Sequence, residues 1–134
     1  LGYKAGDFRL TGGATFTSAE ITASNDASTV GKKPRRQADV VLQLSPSFSL
    51  GPIEIGAGLL HTGKSYGDDA NTIIMPAYTV LNAFANYQVN DKLQLSLSAN
   101  NLGNVIGYTE VEGDGHAARS INGRRIKANL QYAF

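Results

Sequence analysis

The stretch Gly123-Arg124-Arg125-Ile126-Lys127-Ala128-Asn129-Leu130-Gln131-Tyr132-Ala133-Phe134 decides the fold. From Ile126 the even positions are Ile126, Ala128, Leu130, Tyr132 and Phe134; Arg125, Lys127, Asn129, Gln131 and Ala133 alternate with them. Successive side chains of a strand point to opposite faces, so one face here is apolar and the other carries charge and amide. Two aromatics on the apolar face near the strand's end suit a barrel in a bilayer. There the outward face meets lipid and aromatics gather at the interface. A terminal strand of a soluble sandwich alternates in the same way, so the rest of the chain has to separate the two.

Working outward, the same period recurs. Leu93, Leu95, Leu97 and Ala99 alternate with Gln94, Ser96, Ser98 and Asn100. Tyr78 to Val89 puts Leu81, Ala83, Ala85, Tyr87 and Val89 on one face and Asn82, Phe84, Asn86 and Gln88 on the other. Ile53, Ile55, Ala57, Leu59 and His61 share a side, as do Val40, Leu42, Leu44, Pro46 and Phe48 within Gln37 to Ser49. Pro46 weakens that strand because it lacks a ladder donor. Phe8 to about Thr22 is the first alternating run, long for a soluble strand and ample for a bilayer crossing. Turns are expected at Lys4-Ala5-Gly6-Asp7, Leu50-Gly51-Pro52 and Asn90-Asp91-Lys92. Long loops are expected at 23–36, 63–77 and about 103–122, the last holding Gly107, Gly113 and Gly115. Short turns on one side and long loops on the other are the asymmetry of an outer-membrane barrel.

Composition narrows the classes. The chain has 134 residues, one domain's worth, and 17% are charged, below the usual quarter. It has no Cys, which excludes disulfides and thiolate metal sites. A net charge of +1, with no basic block interleaved with aromatics, gives no case for nucleic acid. No apolar run approaches a membrane helix, so any crossing is made by strands. Leu1-Gly2-Tyr3-Lys4 has neither an initiator Met nor the basic and apolar regions of an export signal. The expectation is a cleaved signal or the tail of a longer chain.

The apolar registers carry no Lys, Arg, Asp or Glu at their central positions, as lipid contact requires. Arg9, Asp39, Glu54, Arg125 and Lys127 fall on the opposite registers and are expected to face the lumen. Phe8, Phe48, Tyr87, Tyr132 and Phe134 lie on the apolar register near the short turns or the C-terminus and predict one aromatic belt. Tyr66, Tyr78 and Tyr108 near the loops are candidates for a second.

Three segments then resemble the C-terminal part of a TonB-dependent outer-membrane receptor: Pro76-Ala77-Tyr78-Thr79-Val80-Leu81-Asn82, Asn101-Leu102-Gly103-Asn104 and Gly123-Arg124-Arg125. The closing Leu130-Gln131-Tyr132-Ala133-Phe134 completes the likeness. The family usually has an acidic residue at Asn82 and an aromatic at Gly103. The resemblance implies an all-β antiparallel meander of about six long strands, part of a transmembrane barrel, with residues 1–134 as its C-terminal portion. It implies uptake, dependent on the TonB complex, of a scarce ligand such as a ferric siderophore, in the Gram-negative outer membrane. Implied partners are outer-membrane lipid, the remainder of the barrel, the plug, the TonB complex, and a barrel-assembly machinery that reads Tyr132 and Phe134 as its signal. Barrels of this class have 22 strands, so the plug and earlier strands are expected outside these residues. The alternatives are a plug-less porin or adhesin barrel, and a soluble β-sandwich binding module.

No catalytic constellation, metal cluster or cofactor motif appears, and the expectation is not an enzyme. His61 and His116 have no ligand partner at i+2 or i+4. Asp68, Asp69 and Asn71 fall short of a calcium loop's ligand set. Arg35, Arg36, His61, Tyr66, His116 and Arg119 are the loop residues able to touch an anionic ligand, and the sequence does not rank them.

Overall fold

A computed structural model describes residues 1–112 and 115–134; Gly113 of the third loop lies outside them. Antiparallel pairing joins β1 (Gly2–Ala5), β2 (Phe8–Phe16), β3 (Val40–Leu50), β4 (Ile53–Thr62), β7 (Tyr78–Asn90), β8 (Leu93–Asn100) and β11 (Arg125–Tyr132) into one sheet in that order. The long connections carry two small hairpins, β5 (Ser65–Tyr66) with β6 (Ile74–Met75) and β9 (Tyr108–Val111) with β10 (Ala118–Ser120). The six long strands are those marked by alternation; β1 is a short addition to them. Among the described residues no helix is long and apolar enough to cross a membrane.

The register keeps the alternating faces aligned, except for a shift between Gln88 and Asn90 at the β7–β8 turn that sets Asn90 opposite Leu93. Phe8 opposes Phe48, and Gly12 opposes Leu44. Leu44 opposes Leu59, and Leu59 opposes Leu81. Ala85 opposes Leu97, and Leu97 opposes Ala128. A slip of one residue anywhere would have put polar groups into this row. Both faces are open. Among the described residues the only buried hydrophobic side chains are Met75 and Val80, at 2% and 8% exposure, while Leu44, Ile55, Leu81, Leu97 and Leu130 are exposed. A soluble sandwich would cover its apolar face with a second sheet. Here that face needs an apolar solvent.

Three differences from the sequence reading have local causes. β2 stops at Phe16, and residues 17–22 leave the sheet. Thr17 N–H still donates to the Asp39 carbonyl, but Ile21 exchanges hydrogen bonds with Gly31 and Lys32 of its own loop. Second, Pro46 stays inside β3. Its ladder to β2 is continuous, whereas the ladder to β4 skips Ser45 and Pro46, on the side where the proline N–H is missing. Third, the second aromatic belt is not built as expected. Tyr78 is on the polar register, opposite Thr62, and Tyr66 and Tyr108 lie in the loop hairpins. Phe16, exposed at the loop end of β2, is the aromatic on the apolar face there. The belt at the short-turn end is built from the cross-strand pair Phe8–Phe48, Tyr87 opposite Ile53, and Tyr132 packed edge-on against Phe134 at 5.3 Å.

Candidate functional site

The short turns are simple. Gly6 and Gly51, both at φ +57°, close two-residue loops, and Asn90 Oδ1 accepts from the N–H groups of Lys92 and Leu93. At the other end the three long connections are bonded to one another. Asn71 joins the second loop to the first: its Oδ1 accepts from Lys33 N–H at 2.9 Å and its Nδ2 donates to the Lys33 carbonyl at 2.8 Å. Asp69 Oδ1 accepts from Arg35 N–H, and its other oxygen lies 3.8 Å from Arg35 Nε. Arg36 N–H donates to the Tyr66 carbonyl at 2.7 Å. Arg36 then reaches the third loop, where its guanidinium meets Glu110. Arg119 meets the other oxygen of the same carboxylate.

Asp68 holds the second loop's own shape. It accepts from the N–H groups of Thr72 and Ile73 and from the Thr72 hydroxyl. Partial burial pushes its carboxyl up, and these hydrogen bonds together outweigh it, so the group lies below the ordinary carboxylate range. Asp68, Asp69 and Asn71 thus spend their oxygens on loop backbone, and a calcium ion would have to displace those bonds.

The segments that carry the family resemblance fit together at the root of the third loop. Asn82 Oδ1 on β7 accepts from Asn101 N–H at 2.9 Å, a bond that a carboxylate at this position would also make. Asn101 is 3% exposed at φ +50°. It donates to the carbonyls of Val105 and Asn122 and accepts from Val105 N–H. Asn104, also at φ +50°, accepts from Arg124 N–H. Asn tolerates the left-handed region that these turns need. Gly107 lies against the face of the Tyr78 ring, where a Cβ would overlap the ring carbons at about 2.6 Å. These motif residues shape a turn.

Arg9, Glu54, Arg125 and Lys127 lie on the polar face, joined by Lys4 opposite Arg9. Glu54 accepts from Asn86 Nδ2 at 3.3 Å. Asp39 sits one residue ahead of β3, its carboxylate on Lys33. Of the loop candidates, Arg35, Arg36, Tyr66 and Arg119 belong to the bonded loops. His61 does not join them. It lies on the apolar register of β4, opposite Leu42, with Nδ1 2.9 Å from the Thr79 hydroxyl. His116 is in the turn of the β9–β10 hairpin. Glu110 was not legible as a site residue, because its partners are set by the hairpin register that puts it opposite Arg119.

A strongly alternating, open-faced meander with short turns at one end and joined loops at the other is a piece of a transmembrane β-barrel. Its family is equally clear. The model of the TonB-dependent receptor-like β-barrel matches residues 1–102, and the chain belongs to that family of outer-membrane proteins. A probable TonB-dependent siderophore receptor, PiuA of Acinetobacter baumannii, is 28% identical over 93% of the chain and 18% of its own length. The ferrichrome outer membrane transporter/phage receptor of Escherichia coli is 33% identical over 60% of the chain and 11% of its own length. The PiuA crystal structure superposes with a TM-score of 0.85 at 25% identity, over 96% of this chain and 20% of that one. The ferric preacinetobactin receptor BauA of the same species shares the fold, with a TM-score of 0.84 at 18% identity. The chain therefore spans about a fifth of the length of PiuA.

Proposed function

We propose that these residues are the C-terminal portion of the barrel of a TonB-dependent receptor that takes up a ferric siderophore. The observation that supports this best is the bonded loop cluster, rich in arginine, at the end of an open-faced barrel sheet whose relatives are named as siderophore receptors. In this reading the apolar face meets lipid, and Arg9, Glu54, Arg125 and Lys127 line a hydrated lumen with Asp39 at its mouth. Arg35, Arg36, Tyr66 and Arg119 lie where an anionic chelate would arrive. The plug and the TonB-contacting segment belong to the rest of the receptor, and Tyr132 and Phe134 are read by the barrel-assembly machinery. The protein binds and moves its ligand without chemical conversion, so it is not an enzyme.

The test is uptake of radioactive iron by iron-starved cells carrying or lacking the whole receptor, each with and without a functional TonB complex. A panel of catecholate, hydroxamate and carboxylate ferric siderophores is supplied. Uptake of at least one that needs both the receptor and TonB is expected. Uptake of none, or uptake indifferent to TonB, would sink the reading and favour a plug-less porin.

A further inference from the structure

Among the described residues, three clusters pair loop cations with acids, and their stoichiometry differs. Lys33 has Asp39 and Arg35 has Asp69, one acid for each cation. At Glu110 two guanidiniums share one carboxylate: Arg36 Nη2 lies 2.5 Å from Oε1, and Arg119 Nη1 lies 3.4 Å from Oε2. This cluster holds one positive charge in excess. The two arginines come from different loops, and each meets its own oxygen, so together they hold both oxygens of one planar anion.

Arg36 is built in rather than loosely placed. Its N–H is fixed on the Tyr66 carbonyl, and the residues before it are tied down by Asp69 and Asn71. Its φ is +62°, a conformation uncommon for a residue with a long side chain and a reason to look for function. Glu110 is partly exposed at its side chain and sits on a short hairpin whose register shifts beside Arg119. Exposed ion pairs of this kind are easily exchanged.

We propose that Arg36 and Arg119 form an oxyanion site that Glu110 fills when no ligand is bound, and that the carboxylate of an incoming anionic ligand takes its place. Glu110 is thus an internal competitor that sets the threshold for binding. The proposal rests on the reading of these loops as the ligand-entry face of a receptor. It implies that removing the Glu110 charge strengthens binding, the reverse of what loss of a ligand-binding residue does.

The test is calorimetric titration of the whole receptor in detergent with citrate, a small tricarboxylate, at ionic strength held constant with chloride. Glu110→Gln should lower the half-saturating citrate concentration about tenfold or more. Arg36→Gln and Arg119→Gln should each raise it about tenfold, and Arg36→Lys, which keeps charge but loses the fork, should fall between. Glu112→Gln makes the same charge change on the same hairpin outside the cluster and should leave it unchanged. Binding by Glu110→Gln no tighter than wild type would overturn the proposal, as would equal tightening by Glu112→Gln or indifference to the arginine variants. Citrate exchange that persists in a receptor with no TonB-dependent iron uptake would uphold the site and sink the receptor reading; the opposite pair of results would do the reverse.

Discussion

The ring of Phe84 lies over Gly56, its cross-strand partner, so closely that a Cβ at Gly56 would overlap the ring carbons. Phe84 is the aromatic that alternation puts on the polar face, among Asn82, Asn86 and Gln88. The glycine gives it a flat seat, and the ring covers the backbone that the missing side chain leaves bare, a pairing that helps pin register in curved sheets. The Pro46 carbonyl stands 3.0 Å from the same position on the other side, so the space is closed from both directions.

This seat predicts a coupled pair. Gly56→Ala should cost about 1–3 kcal/mol, the usual range for overpacking, because the ring must lift. Phe84→Ala should also destabilise, by less than the ~3–5 kcal/mol of a core phenylalanine, since the face is open. The double variant should lose less than the sum of the two, because the alanine at 56 then meets only the Pro46 carbonyl and no longer the ring. Urea unfolding of the receptor in bilayers measures all three, and strict additivity would show that the ring and the glycine do not interact.

Much of the sheet was legible because each strand's two faces differ in chemistry over the whole length of the strand. Leu93 to Asn100 alternates without a break and is strand β8. Where alternation continues but the partner ends, the signal misleads. Thr15 still opposes Val41 and Thr17 N–H still reaches the Asp39 carbonyl, yet beyond that the chain leaves the ladder, and Ile21 bonds Gly31 and Lys32 of its own loop instead. Tyr78 failed as a belt residue for a related reason. Its aromatic character suggested an interface, whereas its parity puts it on the polar face, where Gly107 receives the ring. The loop cluster was half visible. Arg36 and Arg119 stood out as cations, but they are 83 positions apart, and nothing local says that both reach Glu110.

The register itself makes a prediction at β8. Leu95 opposes Leu130 and Tyr87 on the apolar face, and Ser96 opposes Asn129 and Asn86 on the polar one. Leu95→Arg should destabilise the receptor, by less than the about 2–4 kcal/mol of a midplane position, because Leu95 lies beside the belt residue Tyr87 near the short turn. Ser96→Arg should be tolerated, because its side chain projects among amides. The folded fraction of each variant in bilayers separates them. Greater damage from Ser96→Arg would mean that the face assigned to lipid is the wrong one.

Asn101 carries a heavier structural role than a loop residue usually does. Its side chain makes three hydrogen bonds, while its backbone is held at φ +50°. At about 1 kcal/mol for each bond, plus the strain of placing an alanine in the left-handed region, Asn101→Ala should cost roughly 3–5 kcal/mol locally. Asn101→Gly keeps the backbone conformation and should recover part of that. The loss should appear as faster hydrogen exchange at Val105 and protease cutting within 103–122. Exchange elsewhere in the sheet should be unchanged. Slowing or no change at Val105 would show that the side chain does not hold the turn.

Phe134 tests whether the end of the last strand acts in packing or in assembly. Its side chain is fully exposed, and its described contact is the edge-on approach to Tyr132 at 5.3 Å. The last ladder bond, Ala133 N–H to the Lys92 carbonyl, does not need the ring. An aromatic pair of this kind adds only about 0.5–1.5 kcal/mol beyond the area it buries. Deleting Phe134 should therefore change the heat resistance of refolded receptor little, since Phe8, Phe48, Tyr87 and Tyr132 keep the belt. If the residue is read during assembly, the same deletion should sharply lower receptor abundance at the cell surface, with the unassembled chain held or degraded in the periplasm. Surface labelling of cells set against refolding yield in detergent makes the comparison. Equal losses in both would leave Phe134 with a packing role alone, and its place two residues beyond Tyr132 on the apolar face would then need no assembly machinery to explain it.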